Sequence, residues 1–262
     1  MADEGSRVPP AATMGDPAAA FTMPWNAPSY PAFPIEFRNV TILTVFWRTT
    51  PEAIAAVLPP PLRPTVPLAA AQIYTMPDVE GIGVANECNV MVAAALGDPP
   101  TVTGGFSTLL VLDSDAGVAH GREVHGQPKK LGSPSLRVDG DLVVARVVRN
   151  GIDILTATTP YKRQRSSVEA MRAYFDFAEN LNYKLIPNID GTPGLRQITA
   201  RRLKKINVHE CWIGPATVEL RPNAQAPVWQ LPVVEPLAAF HWRADFTLET
   251  GRIVHDYLRE AK

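Results

Sequence analysis

Cysteine is scarce in this chain: Cys88 and Cys211 are the two it has in 262 residues. Neither belongs to a CxxC pair or to a Cys/His ligand spacing, which argues against a disulfide framework and structural zinc and fits a reducing compartment. No run of about 18 apolar residues occurs, so no membrane-spanning helix is expected. An excess of either charge is missing as well. Lys plus Arg number 25 against 26 Asp plus Glu, a net charge of −1, and this gives no electrostatic reason to expect nucleic acid or an anionic membrane as partner. The one dense basic run, Arg201, Arg202, Lys204 and Lys205, reads as a solvated strand edge or a subunit contact. GxGxxG, P-loop, GxSxG and HExxH patterns are all absent, which speaks against dinucleotide binding and against serine or zinc hydrolysis. No metal site and no cofactor are expected.

What is present suits an ordinary soluble globular protein. Hydrophobic residues make up 46% and charged residues 19%, enough to build a sizeable core. Residues 1–30 are rich in Ala, Pro and Gly, open with Asp3 and Glu4, and lack the basic start and compact apolar run of a secretory signal. They read as a flexible or draped arm before a single domain over 31–262, with the cytoplasm as the default location. Ile35 to Arg48 alternates as a strand, and Thr50-Pro51 opens a short helix to Leu58. Ala69 to Met76, Asn86 to Ala95 and Phe106 to Leu112 have strand length. Asp139-Gly140 and Asn150-Gly151 supply turn chemistry for two hairpins in series. Ser166 with Glu169 predicts a helix start, with Val168, Met171, Phe175 and Ala178 on one face. The fold class expected is α+β, mainly β: an antiparallel, barrel-like sheet with a few outer helices.

The chemistry centres on Gly121-Arg122-Glu123-Val124-His125-Gly126-Gln127-Pro128-Lys129-Lys130-Leu131-Gly132. A lysine titrates near about 10.4, so at pH 7 only about one in 2,500 is a neutral amine. Bringing the pKa to about 7 means destabilising the ammonium by roughly 4–5 kcal/mol, which burial among apolar side chains can supply. Such an amine attacks carbonyl carbon. On an extended segment Lys129 and Lys130 point to opposite faces. Desolvation is therefore the expected main cause of activation, with Lys130's charge as the secondary candidate for tuning. Glu87 is the one charged residue between Gly81 and Leu96, a costly place for a carboxylate unless it is exposed or carries protons.

This segment resembles the signature of the acetoacetate decarboxylase family. Ala157–Lys162, Leu185–Pro193, Val208–Pro215 and Asp256-Tyr257-Leu258 resemble later blocks of the family, in order, so that the likeness runs from about Phe33 to Leu258. The resemblance implies a cone-like β-barrel, a homo-oligomer, a small oxo-acid substrate, Lys129 as Schiff-base nucleophile and Glu87 as general acid/base. It also exposes departures. Val40 stands where the family's decarboxylases carry a first-strand arginine, Gln72 where they carry a second acid, and Gln127 where the acetoacetate enzyme has an aromatic ring. These changes predict a more neutral pocket for a larger or less acidic substrate. Phe106 is expected in the pocket, and Arg48, His125 and His209 are candidate replacement cations. Three functions stay open: decarboxylation of a β-keto acid, a pyruvate-type aldolase–dehydratase reaction, and a non-catalytic barrel binding an apolar carbonyl compound.

Overall fold

Alternating β-branched and aromatic residues from Ile35 onward commit the chain to long strands, and the turns between them set the order. The computed structural model describes residues 17–259. Strand β1 (Ile35–Arg48) leads into helix α1 (Pro51–Val57), where the Thr50 hydroxyl accepts a hydrogen bond from the Ala53 amide at 3.2 Å. Strands β2 (Leu62–Val79), β3 (Gly83–Leu96) and β4 (Val102–Leu112) form a meander. Helix α2 (Asp115–His120), a π-helical turn (Gly121–His125) and the short β5 (Lys129–Leu131) follow. A second meander, β6 (Ser133–Asp139), β7 (Leu142–Arg149) and β8 (Ile152–Pro160), precedes β9 (Gln164–Arg165) and helix α3 (Val168–Arg172). The chain closes with β10 (Asn180–Pro187), β11 (Pro193–Arg201), β12 (Leu203–Gly214), β13 (Thr217–Leu220), β14 (Glu235–Leu248) and β15 (Arg252–Asp256).

The protein is mainly β with few helices, as expected, but its large sheet is mixed and open. Eleven strands run in the order β15-β11-β10-β4-β3-β2-β1-β14-β12-β9, with β5 attached to β4, and a separate sheet holds β13-β8-β7-β6. Both β5 and β10 pair with β4 in parallel. They reach it through long crossover connections, which parallel pairing requires and hairpins cannot provide.

Both hairpins form. In the first, Asp139 pairs with Leu142, so the turn centres on Gly140 (φ 60°) and Asp141 rather than on Asp139-Gly140. Asn150 (φ 53°) and Gly151 (φ 75°) make the second, both in the left-handed region that a two-residue turn of this type demands. The third helix is shorter than the spacing of apolar residues suggested. Ser167, not Ser166, caps it by accepting from the Ala170 amide at 3.2 Å, and it ends at Arg172. Val168, Met171 and Phe175 are still buried, because burial follows the packing of the segment against β1 and β14 whether or not the segment is helical.

Two apolar clusters lie on opposite faces of the large sheet. One gathers Leu43, Val45 and Trp47 of β1 with Val143, Ala145, Val147, Ile154 and Leu155 of the second sheet. The other gathers Val40, Ile42 and Phe46 with Met171, Phe175, Phe240 and Phe246. Of the arm expected over 1–30, residues 1–16 lie outside the described residues. Residues from 17 drape over the π-helical turn: Thr22 and Tyr30 donate hydrogen bonds to the Glu123 carboxylate at 3.1 and 2.8 Å.

Candidate active site

Glu87 sits in the middle of three strands, beside Tyr74 of β2 and Leu112 of β4. Lys129 enters from β5, paired in parallel beside Leu110. The chain before it is folded tightly. The π-helical turn ends at Gly126 (φ 74°), where a Cβ would fall 2.5 Å from Lys184 Cα, so only glycine fits. The Gln127 amide donates back to the Gly121 carbonyl at 2.9 Å. These contacts fix where Lys129 starts and which way it points.

Lys129 Nζ lies 2.8 Å from Glu87 Oε2, with 4% and 13% of the two side chains exposed. Burial lowers the Lys129 pKa most; Glu87 opposes that shift, and Arg201's charge adds to it. Loss of hydration outweighs the carboxylate's attraction, so the net direction is downward. Lys130 points the other way. Its ammonium donates to the Gln225 carbonyl at 2.6 Å, and its own pKa is lowered by partial burial and by Arg149 and Arg122. Strand alternation separates the two lysines, and the charge that acts on Lys129 comes from Arg201 instead.

The cavity around this pair measures about 50 Å³ and is lined by apolar Phe37, Met76, Leu112 and Phe246 together with Glu87, Lys129, His120, Gln127, Tyr74 and Arg201. His120 closes one wall. Its Nδ1 lies 3.1 Å from the Gly117 carbonyl, which only accepts, so that nitrogen carries the proton. Nε2 is then a bare lone pair, buried without a partner. Burial, with Lys129's charge, pushes the His120 pKa down to about 3. The Tyr74 phenol is pushed up by burial and by Glu87 and donates to Gln72 Oε1 at 2.7 Å.

Of the residues singled out from the sequence, Lys129, Glu87 and Gln127 meet at this cavity. Gln72 lines an adjoining one with Asn89, Asn180 and Trp242. Val40 is buried in the same apolar cluster as cavity-lining Phe37 and Phe246 but lines neither cavity; a bulge at Arg38-Asn39, with Asn39 at φ 55°, turns Phe37 and Val40 to one face of β1. Phe106 faces the opposite side of the sheet, against Pro128 and Val228. The cause is again a bulge: Thr108 is the extra residue of β4 between the Leu109–Val90 and Ser107–Met91 pairs, which reverses the facing of residues before it. Arg48 is exposed and ion-paired with Glu235 at 3.0 Å. His125 stands behind the wall, edge-on to Phe33 and His120. His209 is paired with Asp245 at 2.9 Å, away from the cavity.

A family model for acetoacetate decarboxylase matches residues 20–258. The chain belongs to the acetoacetate decarboxylase family. It is 35% identical to acetoacetate decarboxylase 2 of Mesorhizobium japonicum, over 94% of this chain and 92% of that protein. It is 35% identical to the acetoacetate decarboxylase of Bordetella avium, over 92% and 96% of the two chains. Among solved structures, the acetoacetate decarboxylase from Legionella pneumophila superposes with a TM-score of 0.83 at 34% identity, covering 91% of this chain and 94% of that one. MppR, an enduracididine biosynthesis enzyme complexed with pyruvate, shares the fold at 16% identity, with a TM-score of 0.77 over 91% and 98% of the chains.

The blocks that resemble this family outside the site act as its frame. Lys162 of one block donates to both Glu210 oxygens of another, at 2.9 and 2.7 Å, and Asp256 of the last accepts from Gln197 on β11 at 3.0 Å. Three polar members of the cavity, Tyr74, Arg201 and His120, were not found from the sequence. For Arg201 the signal was available: Gln197-Ile198-Thr199-Ala200-Arg201 alternates polar and apolar, with Ile198 and Ala200 in the core. The basic run is thereby split, with Arg201 turned inward and Arg202 outward onto Glu179. The pocket is small and carries a cation, in contrast to the larger, neutral one expected.

Proposed function

We propose that this chain decarboxylates a small β-keto acid of the acetoacetate type through a Schiff base on Lys129. The observation that carries this is the buried Lys129 amine held 2.8 Å from Glu87. Burial favours the neutral amine, and Glu87 is within reach to accept the proton it sheds. The amine adds to the keto carbon, the carbinolamine loses water, and an iminium results. Electrons of the bond to the carboxylate carbon move toward the nitrogen, carbon dioxide leaves and an enamine remains. Glu87, now an acid, returns a proton to carbon, and water hydrolyses the iminium to release ketone and free lysine. The Nε2 lone pair of neutral His120 suits a hydrogen bond from that water. The cavity, at about 50 Å³, has room for only a few water-sized groups at about 10–15 Å³ each, which favours a short acid.

The enzyme needs no cofactor in this scheme. We place it in the cytoplasm, where its free, buried Cys88 and Cys211 stay reduced. As a homo-oligomer it would use exposed apolar residues of the draped segment, Phe21, Met23 and Trp25. Carbon dioxide release from acetoacetate, with borohydride trapping and peptide mapping, tests the function. Turnover with an adduct on Lys129, both lost in Lys129→Ala, is expected. Consumption of pyruvate and an aldehyde without carbon dioxide would replace it by the aldolase reaction. Trapping without any turnover would leave a binding barrel.

A further inference from the structure

We infer that Arg201 holds the carboxylate of the substrate, an inference that rests on the Schiff-base reading above. Arg201 ends β11 and pairs with Asn180 of β10. It lines the Lys129 cavity, the adjoining cavity beside Gln72 and Asn180, and an open crevice where Arg202, Lys204 and Arg252 outnumber the one acid, Glu249. The two other arginines of that crevice are already engaged: Arg202 and Arg252 both pair with the buried Glu179. Among the described residues no carboxylate lies within ion-pair distance of Arg201, and its Nε is buried without a hydrogen-bond partner.

A half-buried guanidinium whose Nε has no partner is completed by an anion, and its planar fork matches a carboxylate in two parallel hydrogen bonds. Charge balance within the cavity points the same way. With Lys129 neutral, Glu87 and Arg201 cancel. A carboxylate entering alone would be repelled by Glu87, and Arg201 offsets that repulsion. When the iminium forms on Lys129, its positive charge compensates the carboxylate until carbon dioxide departs. Arg201 therefore faces the substrate from the crevice side, where an anion approaches, while Lys129 meets the keto carbon.

The sign of the effect follows from the reaction. The carboxylate loses its charge as carbon dioxide forms, so Arg201 binds the ground state more strongly than the transition state. Removing it should raise KM and not lower kcat, a split that a merely structural residue would not produce. In Arg201→Gln, KM for acetoacetate should rise about tenfold or more, the range for a charged hydrogen bond, with kcat held or raised. Borohydride trapping of neutral acetone on Lys129, read on the high-pH plateau where the amine is neutral with or without Arg201's charge, should stay within about twofold of the parent, since acetone has no carboxylate for the arginine to hold. Arg201→Lys, which keeps the charge and loses the fork, should recover part of the KM. An unchanged KM, or acetone trapping that falls in step with acetoacetate turnover, overturns the assignment.

The parent protein offers a test that does not depend on a variant folding. 3-Hydroxybutanoate should protect Lys129 from acetone trapping at least about tenfold better than the neutral 3-hydroxybutanamide does. Equal protection would also sink the proposal. Failure of the Schiff-base reading looks different: neither acetoacetate nor acetone would leave a reduced adduct on parent Lys129.

Discussion

Gly121→Ala is a one-methyl perturbation aimed at Lys129, the proposed nucleophile. Gly121 has φ −65° and ψ −40°, an ordinary helical conformation, so alanine meets no backbone strain there. The space is the obstacle. A Cβ would fall 2.6 Å from Lys129 Cε, closer still to Cδ, and 2.7 Å from Gln127 Oε1. Carbon atoms rest at about 3.5–4.0 Å, so the lysine stem must retreat by about 1 Å. Its ammonium then leaves the 2.8 Å contact with Glu87. Overpacking costs about 1–3 kcal/mol, and the better helix propensity of alanine returns up to about 1 kcal/mol, which together move Tm by only a few degrees in a chain of this size. A displacement of about 1 Å at the reacting group, however, costs about a hundredfold in rate. The assay is kcat for acetoacetate decarboxylation beside thermal melting and borohydride trapping. A variant that melts like the parent and keeps its full kcat and trapping rate would refute the placement of the reacting amine against Gly121.

Glu87→Gln should retain the melting temperature and imine trapping while kcat falls about 10²–10⁴-fold, the usual weight of general acid–base catalysis; full turnover would return Glu87 to a structural role. Lys130→Gln should leave the pH profile of imine formation nearly unmoved, because that ammonium is turned to Gln225; a rise in the fitted pKa by about two units, or roughly 2.7 kcal/mol, would show that the neighbouring charge dominates. Burial pushes His120 to about 3 and His125 to about 2 from 6.5, so below pH 6.5 the unfolded chain binds protons that the folded one refuses. Stability should therefore fall as the pH drops from 6.5, each histidine adding at most about 1.4 kcal/mol per pH unit, and His125→Gln should flatten that limb in acid-unfolding curves. An unchanged slope would mean the ring is solvated. Glu210, pushed down to about 2 chiefly by Lys162, contributes stability that is present above 4.5 and lost as the pH falls toward 2; Glu210→Gln should cost about 1–2 kcal/mol at pH 7, read by denaturant melts, and equal stability would leave the pair without weight.

Much of this protein is determined locally and is legible in the chain. Alternation over Ile35–Arg48, the Asn150-Gly151 turn and the Thr50-Pro51 cap each depend on a few adjacent residues, and each appears where the residues require it. The opposite facing of Lys129 and Lys130 is equally local, because a strand turns successive side chains apart. The mixed pairing of β5 and β10 with β4 is not, since a short apolar segment carries no mark of its partner or direction. The bulge at Thr108 inserts a single residue that strand alternation cannot foresee, and one residue reverses a face: Phe106 left the site. Arg201 and His120 joined it from β11 and α2, far along the chain from Glu87. Alternation along β11 sets the face that Arg201 takes, but that this face meets Lys129, and which histidine shows the cavity a bare nitrogen, depends on distances between strands and helices that only the packed structure sets.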